Sequence, residues 1–252
     1  MPLKILTDEQ FNGDIWRMEI DELTDTLCLE IRDHSDKKVY FATIDLVTGH
    51  TLTKEFATPE RWLTGIEAAW NGVMLLHFYQ SEKGPMHKGL MAADIKTGQT
   101  LWTDYSLSFD YLSENGPIVY DARVQPRKLF LADIHTGATT RVYQPSVYKT
   151  QKSDILYPEL KTADELTEKL VHKHPFGNSV HYLEHNNYRI VSLHALKGGG
   201  LVQLLHVFDE SGQVFEDILN SDIQKMQPEA FIVHKNRLVY VKNRFELKIL
   251  SL

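Results

Sequence analysis

The sequence is poor in the features that usually announce a function. Its 252 residues contain one cysteine, Cys28, which excludes an intramolecular disulfide and a cysteine-ligated zinc cage. No apolar run approaches the ~20 residues of a membrane-spanning helix. The N-terminal stretch MPLKILTDEQ has neither a long apolar core nor a small-residue cleavage site, so no secretory leader is expected and a cytoplasmic location is. Basic charge is also short: 27 Lys and Arg face 34 Asp and Glu, a net charge of −7, so a nucleic-acid partner is not expected. No membrane partner is expected either. Gly198-Gly199-Gly200 lacks the following Lys-Ser/Thr and helix of a phosphate loop, and no G-x-S-x-G nucleophile elbow occurs. What remains is globular: 42% hydrophobic and 24% charged residues suffice for a core, and the length suits one large domain over residues 1–252.

A repeated turn supplies the architecture. FATIDLVTGHTL (41–52), LMAADIKTGQTLW (90–102) and LFLADIHTGATTRV (129–142) each place a β-rich run before Asp-x-x-Thr-Gly and another after it. Asp45, Asp94 and Asp133 are the turn aspartates, and LHVFDESGQVF (205–215) is a copy one residue shorter, with Asp209 and Gly212. Aspartate and threonine side chains accept from turn N–H groups and glycine takes positive φ, so these aspartates are read as turn formers and not as catalysts. A second tight-turn signal precedes each: Asn71-Gly72, Asn115-Gly116 and, in weaker form, Asp25-Thr26, Asn186-Asn187 and Lys235-Asn236.

Each unit therefore reads as four antiparallel strands, and the repeat predicts an all-β, five-bladed β-propeller. The units span about 11–56, 60–106, 107–143, 178–219 and 226–252, near the ~40–45 residues of a four-stranded blade. The last unit has three strands of its own; PLKIL (2–6) is expected to supply the fourth, closing the last blade. Residues 144–177 are an insertion with a helix predicted over 162–173, begun by a Thr162/Glu165 capping box. A sixth, decayed blade within the insertion is the alternative.

Ala92-Ala93-Asp94-Ile95-Lys96-Thr97-Gly98-Gln99-Thr100-Leu101-Trp102 resembles the repeat of quinoprotein-like propellers. The resemblance implies that Gly98 and Trp102 take part in docking one blade on the next. Gly49 and Gly137 match the glycine, while Thr53 and Arg141 stand where the tryptophan belongs. Quinone-dependent dehydrogenases of this kind use adjacent cysteines and a calcium site, so with one cysteine no cofactor is expected. In size and blade pattern the chain is also similar to uncharacterised bacterial propellers.

Histidine is plentiful, with twelve residues. His181-Tyr182-Leu183-Glu184-His185 spells the H-x-x-E-H pattern of inverted zincins, but on a strand the two imidazoles stand roughly 13 Å apart, too far for one zinc. His172, His174, His181, His185 and His194 are expected to be solvated or hydrogen-bonded, and His77, His206 and His234 to be satisfied within sheets. Asp33-His34-Ser35-Asp36 reads as a solvated loop, not a calcium site. No metal ligands or catalytic residues are assigned. The first strand of each propeller blade lines the central channel, which makes Arg17, Glu67, Tyr111, His181 and His234 the expected ligand-binding set. The function expected is a scaffold binding a protein partner or small ligand at the channel mouth. The alternative is a hydrolase or lactonase-like enzyme with a metal or carboxylate/His site there.

Overall fold

The computed structural model describes residues 3–163, 171 and 174–252. The described strands form five antiparallel sheets. The first holds β2 (Asp14–Asp21), β3 (Thr26–Asp33), β4 (Lys38–Asp45) and β5 (Thr51–Phe56). The second holds β6 (Thr64–Trp70), β7 (Val73–Ser81), β8 (Gly84–Asp94) and β9 (Thr100–Asp104). The third holds β10 (Leu107–Ser113), β11 (Gly116–Asp121), β12 (Leu129–Ala132) and β13 (Thr139–Arg141). The fourth runs β14 (Glu159–Thr162), β15 (Ser179–His185), β16 (Tyr188–Lys197), β17 (Gly200–Asp209) and β18 (Gly212–Ile223). The last contains β19 (Ile232–His234), β20 (Arg237–Lys242) and β21 (Glu246–Ser251), completed by β1 (Lys4–Gln10) on β21. This is the expected fold class: all-β, five propeller-type blades, the N-terminal strand finishing the fifth. The sixth-blade alternative falls, because the inserted segment adds its strand β14 to the fourth sheet. By internal contacts the chain divides into two compact units: residues 12–153 with three sheets, and residues 1–11 with 154–252 with two.

The repeated turns carry the expected chemistry. Asp94 Oδ1 accepts from the Lys96 and Thr97 N–H groups at 3.0 and 2.8 Å and from the Thr97 hydroxyl at 2.9 Å. Asp133 does the same with His135 and Thr136, and Asp45 with the N–H groups of Val47 and Thr48. The chain reverses at Gly49, Gly98 and Gly137, whose φ angles are 80°, 70° and 73°, a region open to glycine at no steric cost.

Within residues 12–153 these turns also join the sheets. The Trp102 indole N–H donates to Ile134 O at 2.7 Å, and a Cβ added to Gly137 would stand 2.8 Å from the indole Cδ2. The blade-docking role implied for Trp102 is thus present, although the ring is half-buried and not enclosed. One blade earlier the same backbone position, Ile95 O, accepts from the Thr43 hydroxyl at 2.6 Å, and Phe56 with Thr53 covers Gly98. Phe56 takes the packing role that register assigned to Thr53.

The helical insertion needs correction. Thr162, the expected helix cap, lies in β14 and pairs with Ser179, so its backbone is committed to a sheet edge. Two single 3-10 turns, Pro145–Val147 and Phe176–Asn178, flank it. The rest of the expected helix, 164–170 and 172–173, lies outside the described residues. No described helix is long and apolar enough to cross a membrane.

Candidate functional site

The site is built on the second blade and begins with a register fault. Gly65 pairs with His77 and Ile66 with Leu76, but the next pair is Ala68 with Leu75. Glu67 is therefore the extra residue of a β-bulge, a device that re-aims a side chain out of the ladder. Its carboxylate, 9% exposed, meets two imidazoles: Oε1 stands 2.6 Å from His87 Nδ1 and 3.4 Å from His77 Nδ1. His77 lies on β7 and His87 on β8. Their rings stack with centroids 3.6 Å apart and planes within 5°. Tyr79 sits edge-on to both, at 4.6 and 5.0 Å. One nitrogen of each histidine and one Glu67 oxygen lie within 4.8 Å of one another, near enough to hold a single cation.

Behind this cluster the packing is close. Gly65 has no side chain because none fits: a Cβ there would meet Glu30 Oε2 at 2.8 Å and His77 Cε1 at 2.9 Å. Glu30, 2% exposed, accepts from the Ile66 N–H at 3.0 Å and from Arg32 Nε at 2.7 Å, and Arg32 Nη2 donates to Thr64 O at 2.8 Å. This buried ion pair pins the start of β6 over the His77 ring.

The electrostatics follow from burial. His77 is 2% exposed, and neither ring nitrogen has a hydrogen-bond partner among the described residues. Burial first, then the neighbouring His87, Arg17 and Arg32, push its pKa down to about 3. It is a neutral imidazole at any ordinary pH. Glu67 is shifted up, chiefly by burial, with His87 opposing.

Of the five residues expected to share a site, the structure brings together Arg17 and Glu67. Arg17 Nη2 donates to Glu67 O at 3.2 Å while Nε donates to Glu19 at 2.9 Å. Tyr111 belongs to the same compact unit, and its hydroxyl donates to Tyr148 O at 3.0 Å. His181 and His234 belong to the other unit. His181 Nε2 lies 3.1 Å from Pro228 O, and His234 is 1% exposed on β19. His77 departs from the expectation that sheet burial satisfies it, and His87 was not singled out at all. Neither carries a linear signal: His77 sits inside the apolar run VMLLHFYQ, and the bulge that turns Glu67 toward it is invisible in the sequence.

The histidine-rich segment behaves as expected where it is described. His181 and His185 lie on strand β15, so H-x-x-E-H makes no zinc pair. His194, 1% exposed, accepts from the Gln227 N–H at 2.9 Å. Burial, and then His181, push its pKa down to about 4. Around it stand His181, Gln203 and the Gln227 backbone. The unfolded chain takes up a proton near pH 6.5 that the folded chain refuses until about pH 4, so stability is full above 6.5 and falls as pH drops through that window. The expected loss by pH 4 is about 2–3 kcal/mol. Urea titrations of wild type and His194→Gln check it: the variant's profile should be flatter between pH 6.5 and 4.

A family model described as a domain of unknown function (DUF4905) matches residues 20–102. That stretch contains Glu30, Gly65, Glu67, His77 and His87. No curated protein matches the chain. Among solved structures the chain is similar to BamB from Moraxella catarrhalis, at 12% identity over 98% of this chain and 85% of that one, with a TM-score of 0.34. It is also similar to the β-propeller domain of the trilobed protease from Pyrococcus furiosus, at 10% identity over 94% of this chain and 65% of that one, TM-score 0.35. Sqt1 from Saccharomyces cerevisiae matches at 9% identity over the full length of both, TM-score 0.30.

Proposed function

We propose that the protein is a binding module that seats a small anionic ligand on the second blade, over Glu67, His77 and His87 with Arg17 at the rim. The observation that supports this reading is His77. A buried imidazole with no partner costs about 1–3 kcal/mol, and sheets ordinarily hydrogen-bond their buried polar groups. A fold that keeps such a group beside a carboxylate and a half-exposed second histidine is holding polar capacity in reserve for something that arrives. Arg17, ion-paired with Glu19, brings a guanidinium whose side chain is 40% exposed, with Nη1 unspent among the described residues.

The experiment is a melting-temperature screen of the full chain against divalent cations, organic acids, phosphates and sugars. At least one organic acid or phosphate, alone or with a cation present, is expected to raise the melting temperature of wild type and not of His87→Ala; a response to cations or sugars alone contradicts the anionic reading. If every compound acts equally on both proteins, or none acts, the reading is wrong.

A further inference from the structure

His77 asks for a partner of a particular kind. Its two ring nitrogens are buried and have no hydrogen-bond partner among the described residues. Its Nδ1 stands 3.4 Å from Glu67 Oε1 without making a hydrogen bond to it. A neutral imidazole, a carboxylate and a second imidazole are instead the donors that a transition-metal ion takes, two nitrogens and one oxygen. Calcium and magnesium prefer oxygen throughout and fit this set badly.

We propose that Glu67, His77 and His87 together bind one divalent transition-metal ion of the zinc type, and that this ion is what receives the anionic ligand; the second clause rests on the ligand seat proposed above.

The geometry is close to what the ion needs. Ligand atoms at about 2.0–2.2 Å from a tetrahedral zinc stand about 3.4 Å from one another. Glu67 Oε1 and His77 Nδ1 already have that separation, 3.4 Å. The 2.6 Å contact between Glu67 and His87 opens by less than 1 Å when an ion replaces the proton between them. The parallel rings must turn so that their lone pairs converge. His87 has the room, with its side chain 32% exposed, whereas His77 is held. Metal-bound histidine usually donates its far nitrogen to a carboxylate or carbonyl. Here the His77 Nε2 has no such partner among the described residues, because the Glu30 carboxylate is committed to Arg32 and the Ile66 N–H.

Charge supports the same assignment. Without an ion, Glu67 opposes any anion that Arg17 attracts. With a dication, Glu67 becomes a ligand, the centre carries one net positive charge, and Arg17 adds to it. Three protein ligands leave a coordination position open, and His87 and Arg17 are the half-exposed members of the site.

The test uses the full chain stripped by a chelator and dialysed. Zinc is titrated calorimetrically, and cobalt(II) is added as a spectroscopic substitute. One equivalent of zinc should bind, cobalt should give intense visible bands of four-coordinate geometry, and His87→Ala should lower affinity by about 100-fold or more. Glu67→Gln should do the same, while His50→Ala, at an exposed turn, should not. His87 is half-exposed, so its variant is expected to melt close to wild type; a circular dichroism melt confirms that it is folded. Failure of folded wild type to bind zinc more tightly than His87→Ala overturns the metal site. Inorganic phosphate is then titrated into apo and zinc-loaded protein and into Arg17→Gln. Binding that needs both zinc and Arg17 supports the whole proposal. Zinc binding without phosphate binding keeps the metal and overturns its role as anion receptor, whereas equal phosphate binding to apo protein keeps the ligand seat and overturns the ion's part in it.

Discussion

Deletion of residues 1–7 is expected to remove roughly 4 kcal/mol of stability and to make the protein self-associate. Lys4, Ile5 and Thr7 pair with Ser251, Leu250 and Ile249, and each lost backbone hydrogen bond contributes about 1 kcal/mol. Leu3 packs against the cluster containing Leu238, Tyr240 and Leu250, so its apolar contact goes as well. The truncation leaves half of β21 as an unpaired edge directly over buried Leu250 and Ile249, and bare edges of this kind recruit other chains. Thermal melts with size-exclusion chromatography decide the matter. A truncated protein that melts with wild type and stays at the same elution volume contradicts the role given to β1.

Trp102→Ala is the second large effect, about 3 kcal/mol. A fully enclosed tryptophan costs about 3–5 kcal/mol when cut to alanine. Trp102 is half-buried, which argues for the lower end, but three things are lost at once. The indole covers Gly137, donates to Ile134 O and packs against the apolar cluster that contains Leu90, Ala92 and Ile134. Trp102→Phe separates them: it keeps most of the packing and removes the N–H, so about 1 kcal/mol is expected. Urea denaturation of the three proteins gives the ladder. Equal stabilities for Trp102→Phe and Trp102→Ala would show that the hydrogen bond, not the ring, joins the two blades.

How much was legible in the sequence follows from where the information lies. The sheets could be read because their turns are chemical. Asp94 with Thr97 and Gly98, or Asn71 with Gly72, fixes a reversal at a stated offset, and the strands between need only be β-rich. The turn signals Asn71-Gly72 and Asn186-Asn187 fall between β6 and β7 and between β15 and β16, as read. The site was hidden by displacements of a single residue. Trp16, Glu67 and Asp110 are each the extra residue of a bulge in β2, β6 and β10. One inserted residue reverses which face the following side chains take, and no local composition marks it. Glu67 and Arg17 were found because they are polar residues on first strands; His77 was passed over because its neighbours in sequence are apolar. Thr162 misled for a different reason. A capping box describes what a local segment prefers, and pairing with Ser179 overrides the preference.

The pairing of β1 with β21 sets an order of events at the ribosome. Residues 4–10 leave the exit tunnel well before their partners 246–251, which lie some 240 residues later. The three sheets of residues 12–153 close on neighbours in sequence and can fold as they emerge. The last sheet cannot be completed until β21 has been made, and during that interval an unpaired strand waits in the open. At about 5–20 residues per second the wait is on the order of 10–50 s. A chaperone that shields the N-terminal segment would therefore act on this protein during translation, and a synonymous change that slows synthesis after residue 153 would lengthen the time it is needed.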